Sequence, residues 1–149
     1  MTVRTAYLDS SAIIKRYLKE DGTEIVDDLF KQAEAKGAKL CFSIWNIGEV
    51  VGVLDRNNRR RRKVSESMSD FVNELGRLNK NGSIETIGIT LPLIFSASYI
   101  LVKHKLYIAD ALQIASCSEA KCDKFFTADR RVHEAAVKEG LDSSLIIKI

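Results

Sequence analysis

Short apolar runs of strand character alternate along the chain with longer segments in which apolar residues recur every three to four positions. The runs with the strand pattern are VRTAYLD, AKLCFS, SIETIGI, DKFFTAD and the terminal SLIIKI. Helical patterns lie between them, including LPLIFSASYILVKH, IADALQIASCSEA and one long region from Ile44 to about Lys80. This alternation predicts an α/β fold with about five strands in a largely parallel central sheet, joined by right-handed crossovers.

Local signals support these assignments. Ile25, Leu29 and Phe30 recur at helical spacing, and the segment NKNGS supplies the asparagine and glycine that end a helix. Pro92 fits the first turn of a helix opened by Thr90. We find no internal repeat, low-complexity linker or break in composition, so the sequence predicts a single domain over residues 1–149.

Composition narrows the functional classes. The chain is 46% hydrophobic and 29% charged, which is typical of a globular protein, and its net charge of +3 is too small to identify a partner. The cysteines Cys41, Cys117 and Cys122 form neither an even-numbered framework nor a CxxC motif. The longest nearly apolar stretch, LPLIFSASYILV, is too short and too polar to span a membrane. We therefore expect a cytoplasmic protein without a membrane anchor.

Four acidic residues stand out by their context. Asp9 ends the first strand pattern and Asp129 the fourth, whereas Glu49 and Asp110 interrupt apolar helical stretches. In an open α/β sheet, ligands bind outside the carboxyl ends of the strands. A carboxylate buried without a partner costs several kcal/mol, so each acid needs a cation, a hydrogen-bonding role or solvent. A shared divalent metal would satisfy all four.

Each acid also has a structural interpretation. Asp9, Asp129 and Asp110 are all suited to capping the helix that follows them, and Glu49 to a solvent-exposed helix face. For any one acid alone the structural interpretation is the better one. The metal hypothesis rests on all four falling where such a sheet gathers its loops and helix ends.

The segment DRNNRRRRK concentrates positive charge. Arginine forks suit phosphate oxygens, so the run is a candidate RNA contact, but a solvated helix end explains it equally well. The residues concerned are Arg56, Arg59, Arg60, Arg61, Arg62 and Lys63.

The motifs YLDSSAIIKRYLKE, SIWNIGEVVGVL and YIADALQIASCSEAKCDKFFTAD, in this order, resemble those of the PIN-domain nucleases, and among them the small VapC-type toxins. The resemblance covers essentially the whole chain. It implies a three-layer PIN-like domain, with a parallel sheet of about five strands flanked by helices, that acts as an endoribonuclease dependent on Mg²⁺ or Mn²⁺. It assigns the catalytic and metal-binding roles to Asp9, Glu49, Asp110 and Asp129.

The resemblance carries further expectations about neighbouring residues and partners. Ser11 and Thr127 match small hydroxyl positions beside the family's acids, although helix capping or a strand-end hydrogen bond explains them as well. Toxins of this type usually pair with a small antitoxin that covers the acidic groove, and they commonly form homodimers. RNA is the implied substrate.

Other functions stay open on the sequence. Within the nuclease interpretation, the chain is either a toxin or a housekeeping RNA-processing enzyme. If the acids are too dispersed to hold metal, a PIN-like fold serves as a non-catalytic RNA-binding module. A haloacid dehalogenase-like phosphatase requires a second aspartate where Ser11 stands, and a P-loop motif is absent.

Overall fold

The structure is a computed structural model that describes residues 3–61 and 66–147, with the exception of the side chain of Arg61. Within these ranges the chain forms five strands and seven helices in strict alternation of strand and helical segments. In chain order they are β1 Thr5–Leu8, α1 Ser10–Tyr17, α2 Thr23–Glu34, β2 Lys39–Ser43, α3 Ile44–Arg61, α4 Glu66–Lys80, β3 Ile84–Ile87, α5 Leu91–His104, α6 Ile108–Ala120, β4 Lys124–Thr127, α7 Arg130–Lys138 and β5 Ser143–Leu145.

The five strands form one sheet in the order β3-β2-β1-β4-β5, and every neighbouring pair is parallel. The chain builds the sheet outward from β1 to one side through β2 and β3, and then returns to the other side with β4 and β5. The strand order therefore reverses between β1 and β4. We call this place the reversal point of the sheet, and sheets of this kind bind ligands there.

Two hydrophobic cores cover the two faces of the sheet. Alternate residues of β1 point to opposite faces, so that Ala6 and Leu8 join the core beneath α1 to α4, while Tyr7 joins the core beneath α5 to α7. The result is a three-layer arrangement of helices, sheet and helices, as the sequence predicts.

Details of three elements differ from the sequence-based expectation. The long helical region from Ile44 to about Lys80 is two helices, α3 and α4, on either side of residues that lie outside the described ranges. The last strand is limited to Ser143–Leu145, and residues 148–149 of the predicted strand are likewise outside. Ile25 is 41% exposed, because Val26 rather than Ile25 faces the core with Leu29 and Phe30.

A polar network ties α1 to α4 and α2. The guanidinium of Arg16 donates to both carboxylate oxygens of Glu74, at 3.0 and 2.8 Å, and to Asp27 at 2.7 Å. Tyr17 donates to Glu74 at 2.7 Å. This bidentate pairing fixes α1, whose first turn begins at Asp9, against the helices around it.

Among the described residues, no helix combines the length and the apolar character needed to cross a membrane.

Candidate active site

The carboxyl ends of β1 and β4 lie side by side and each passes directly into a helix. Asp9 follows β1 and caps α1 by accepting a hydrogen bond from the backbone N–H of Ala12 at 2.9 Å. Asp129 follows β4 and caps α7 by accepting from the N–H groups of Arg131 and Val132. The capping interpretation of these two acids is correct, and the same geometry places both at the reversal point of the sheet.

Asp9 is buried and held in one orientation. Ser11 Oγ donates to its Oδ1 at 2.6 Å, and Thr127 Oγ1 donates to its Oδ2 at 2.5 Å. Three donors, including the N–H of Ala12, therefore fix the plane of the carboxylate.

The same two hydroxyls also fix the turn after β4. Ser11 Oγ accepts from the N–H of Ala128 at 2.9 Å, and Thr127 Oγ1 accepts from the N–H of Asp129 at 3.0 Å. Each hydroxyl thus links Asp9 to the segment that carries Asp129. Ser11 and Thr127 therefore make both contacts that the sequence offered as alternatives, one to an acid and one to the backbone at the strand end, and their role beside a metal stays a prediction.

Glu49 approaches from the second turn of α3. It is half-buried, and its Oε1 accepts a hydrogen bond from Ser10 Oγ at 2.7 Å. Because Ser10 directly follows Asp9, this bond connects α3 to the start of α1. Glu49 is therefore not a solvated surface residue.

Asp110 lies in the first turn of α6 and does not cap that helix, whose N-cap residue is Tyr107. One turn further along α6, Gln113 Oε1 accepts from the hydroxyl of Tyr7 at 2.8 Å. The Tyr7 oxygen in turn accepts from the N–H of Ser43, and its ring stacks on Phe125. This buried contact anchors the first turns of α6 to β1 and β2.

Electrostatic effects connect the four acids. Burial raises the pKa of Asp9 from its ordinary 3.8 to about 6, against the opposing effect of its hydrogen bonds, and the charge of Asp110 adds to the increase. Burial also raises the pKa of Asp110, and the charges of Asp129 and Glu49 raise it further, whereas Arg131 lowers it. Asp110 is therefore electrostatically coupled to each of the other three carboxylates.

The four acids do not form a closed ligand shell. Among residues 3–61 and 66–147, no three histidine, cysteine, aspartate or glutamate side chains converge as a ready metal site. Mg²⁺, however, usually takes only one or two protein carboxylates and keeps several waters. A carboxylate offers about four lone-pair positions, and the hydrogen bonds of Asp9 use three. Mutually repelling carboxylates with spare acceptor positions fit a hydrated divalent cation.

Sequence reasoning missed three residues near the acids. Ser10 supports Glu49, Arg131 opposes the negative charge around Asp110, and Asn46 donates from Nδ2 to the carbonyl of Leu8 at 3.1 Å. Asn46 is fully buried, and its Oδ1 has no hydrogen-bond partner among the described residues. A signal existed only for Asn46, a polar residue inside an apolar helix and three positions before Glu49.

The basic run lies away from the acids along α3. Arg56, Arg59 and Arg60 are exposed, and Arg59 pairs with Asp55 at 2.7 Å. With a rise of about 1.5 Å per residue, the exposed arginines lie about 10 to 16 Å along the helix from Glu49. The side chain of Arg61, and Arg62 and Lys63 entirely, lie outside the described residues.

Cys41, which is distant in sequence, meets Cys117 and Cys122 in the core between the sheet and α6. Contact with Cys117 and burial raise the pKa of Cys122 to about 12, so its thiol stays protonated at neutral pH. This environment suits a packing role rather than a nucleophile.

Solved structures share this fold. VapC20 from Mycobacterium tuberculosis, described as a sarcin-ricin loop cleaving toxin, is 16% identical, covers 91% of this chain and 95% of its own, and gives a TM-score of 0.64. VapBC2 from Rickettsia felis, bound to a DNA fragment from its promoter, is 13% identical over 95% of this chain and 98% of its own, with a TM-score of 0.61.

PAE2754 from Pyrobaculum aerophilum is 18% identical over 91% of this chain and 87% of its own, with a TM-score of 0.60. No curated protein matches the sequence. The family model of the PIN domain matches residues 6–138, which include all four acids. PIN domains are generally nucleases, which hydrolyse phosphodiester bonds. The chain belongs to the PIN domain family.

Proposed function

We propose that the chain is a cytoplasmic endoribonuclease that depends on Mg²⁺ or Mn²⁺. One observation carries the proposal: a buried carboxylate, Asp9, is fixed by three hydrogen bonds at the reversal point of the sheet, within electrostatic reach of Asp110. Capping α1 needs neither the burial nor the raised pKa. Such a group is suited to binding a cation.

In this proposal Asp9 and Asp110 provide direct oxygen ligands, and Glu49 and Asp129 complete the site directly or through water. When bound, the divalent cation neutralises charge on the scissile phosphate and lowers the pKa of a coordinated water. Asp129 is exposed, so its free carboxylate oxygen is accessible to orient the attacking water. Ser11 and Thr127 hold Asp9 in its orientation.

We propose that the basic end of α3 contacts the RNA backbone. Arg56 and Arg60 are exposed and make no ion pair among the described residues, so both are available to phosphate groups. Arg61, Arg62 and Lys63 extend the same run in the sequence.

We further propose that the chain is the toxin of a toxin–antitoxin pair, with a small antitoxin as its partner, and that it forms a homodimer. Support comes from the family and from neighbours solved as toxin–antitoxin assemblies, including a complex from Klebsiella pneumoniae. A housekeeping RNA-processing role is the alternative. Growth arrest on expression of the wild-type chain, relieved by Asp9→Asn, distinguishes the two roles.

The first experiment measures cleavage of a structured and an unstructured RNA by the wild-type chain with Mg²⁺, with Mn²⁺ and with EDTA. We expect cleavage only with metal. Asp9→Asn and Asp110→Asn should each reduce the rate by about 100-fold or more, because even outer residues around a metal commonly cost 10- to 100-fold.

Asp28→Asn is the matched control, since Asp28 is exposed on α2 and makes no side-chain hydrogen bond or ion pair among the described residues. It should cleave like the wild type. If Asp9→Asn and Asp110→Asn both cleaved RNA as fast as the wild type, the proposed site would be refuted.

A non-catalytic RNA-binding module is the second candidate. It is favoured by the absence, among the described residues, of three acids close enough to form a ready metal site. Metal-independent RNA binding without cleavage, unchanged in Asp9→Asn, would establish this function instead.

A further inference from the structure

Trp45 is an exposed aromatic residue at the edge of the sheet that carries the acids. It lies in the first turn of α3, two residues after β2 ends at Ser43, and its backbone N–H donates to Ser43 Oγ at 3.2 Å. Its side chain is 49% exposed. Among residues 3–61 and 66–147, its ring stacks on no other aromatic ring. The ring therefore presents an open aromatic face to solvent, which the proposed reaction does not use.

Two hydrogen bonds fix the beginning of α3 beside Asp9. Asn46, which directly follows the exposed tryptophan, donates from Nδ2 to the carbonyl of Leu8 at 3.1 Å. Glu49 Oε1 accepts from Ser10 Oγ at 2.7 Å. Leu8 and Ser10 are the residues on either side of Asp9. The first two turns of α3 are thus held next to Asp9, and the tryptophan is held there with them.

The same side of α3 continues from the aromatic ring to a cation. Trp45, Glu49, Gly52 and Arg56 recur at spacings of four, three and four residues, which places them on one side of the helix. Nη1 of Arg56 lies 3.6 Å from the position that a Cβ would occupy at Gly52. The guanidinium therefore extends back over the glycine, toward the turn that carries Glu49.

We propose that an unpaired base of the RNA substrate stacks on the indole of Trp45, while the backbone of the same strand follows this side of α3. The proposal rests on the proposed ribonuclease function and adds to it the residue that contacts a base. The groups along α3 suit one strand: an aromatic face for a base, a carboxylate of the acid site, and the guanidinium of Arg56 for a neighbouring phosphate. Bases inside a duplex are already stacked, so the substrate is an unpaired segment.

The composition of α3 favours a nucleic acid over a protein segment on this surface. A helix that docks in a groove uses apolar anchors over two turns or more and needs a matching apolar surface. Among the described side chains of α3, the large apolar residues that are exposed are Ile44 and Trp45 alone. The ring is followed by charged groups instead, and single-stranded nucleic acids are bound by aromatic rings combined with cations.

The test uses the fluorescence of the indole. The chain contains one tryptophan, so this signal reports on Trp45 alone. The wild-type chain is titrated in EDTA with a single-stranded RNA, with a duplex of the same sequence, and with a sugar–phosphate oligomer of equal length that lacks bases. We expect the single strand to quench the fluorescence and the other two probes to leave it nearly unchanged, because only unpaired bases can stack on the ring.

Two variants separate stacking from a structural effect. Trp45→Leu keeps an apolar side chain without an aromatic face, and Trp45→Phe is the matched control because it keeps a ring. Trp45→Leu should bind the single strand about tenfold more weakly than the wild type, whereas Trp45→Phe should stay closer to the wild type. Both should bind the duplex like the wild type. Because Trp45 is half exposed, both variants should keep the fold, which circular dichroism checks.

Three results would overturn the proposal: no quenching by the single strand, an unchanged single-strand affinity in Trp45→Leu, or equal losses in Trp45→Leu and Trp45→Phe. The first two would leave this surface to a protein partner. Failure of the proposed nuclease function looks different. In that case single strands would still quench Trp45 and bind Trp45→Leu more weakly, but the wild-type chain would cleave no RNA with Mg²⁺ or Mn²⁺.

Discussion

At the scale of single residues, Asp9 shows that helix capping and a place in an acid site are compatible. Its Oδ1 caps α1, while its burial and the nearby charge of Asp110 raise its pKa. The sequence presents these as alternatives, since a cap is usually exposed to solvent. Here the cap is buried because β1 and β4 converge around it and the hydroxyls of Ser11 and Thr127 replace water.

In the metal-free protein, this environment makes ionised Asp9 lower the free energy of unfolding by a measurable amount. The pKa of Asp9 is about 6 in the folded chain and 3.8 ordinarily, so the folded state binds the proton more tightly. The ionised group therefore destabilises the fold above pH 6, and this cost disappears as the pH falls from about 6 through 3.8. Asparagine is also a good N-cap.

Asp9→Asn should consequently be more stable than the wild type in EDTA at pH 7.5. The two-unit shift corresponds to an upper limit of about 3 kcal/mol, and the loss of charge-assisted hydrogen bonds reduces the expected gain to about 2 kcal/mol. Urea unfolding between pH 4 and 8 measures the difference, which should vanish near pH 4. A difference that is independent of pH, or as large in Asp28→Asn, would contradict it.

At the scale of secondary-structure elements, α3 contributes residues to both proposed sites, the acid site and the RNA contact, at separate positions. Its second turn brings Glu49 to the sheet edge, and its far end presents the exposed Arg56 and Arg60. Arg59 differs from these two because Asp55 already neutralises it at 2.7 Å. The end of α3 that carries Glu49 is thus separate from the basic end, and the two ends can be tested independently.

Replacing Arg56 and Arg60 together by glutamine should weaken RNA binding without changing the maximal cleavage rate. Because each lost phosphate contact lowers the slope of log affinity against log salt by about 0.7 on single strands, the double variant should lower it by about 1.4. RNA binding at several salt concentrations measures this. Arg59→Gln is the control and should change the slope less. Equal slopes for the wild type, the double variant and Arg59→Gln would exclude this surface as the RNA contact.

The elements were predictable from sequence and their lateral contacts were not. α5 and α6 have the predicted bounds because apolar periodicity and the Thr90 cap are local signals. The strand order and the bonds from Thr127 to Asp9 and from Ser10 to Glu49 join residues 118 and 39 positions apart. No local pattern encodes such contacts. The exposure of Trp45 was hidden for the same reason, since a tryptophan within an apolar stretch predicts burial.

At the scale of the whole molecule, the parallel sheet is what concentrates negative charge at one edge. Parallel strands place all their carboxyl ends together, and the reversal of strand order between β1 and β4 leaves a gap there between helices. Asp9 and Asp129 follow β1 and β4, and Glu49 and Asp110 lie on α3 and α6; α3 packs into one core and α6 into the other. Binding at this edge should therefore stabilise the entire fold.

A divalent cation should raise the melting temperature of the wild-type chain, and the increase should grow with pH. A ligand that binds only the folded state stabilises it by RT ln(1 + [L]/Kd), about 2.7 kcal/mol at 100 times Kd. Below pH 6 the cation must displace the proton of Asp9, which weakens its apparent affinity about tenfold at pH 5, so the stabilisation should fall to about half at pH 5 and be near its full size at pH 7.5. Thermal unfolding with Mn²⁺ or EDTA at both pH values provides the measurement. Asp9→Asn should lose most of the increase and Asp28→Asn should keep it, whereas a metal effect that is equal at the two pH values would place the bound ion away from Asp9.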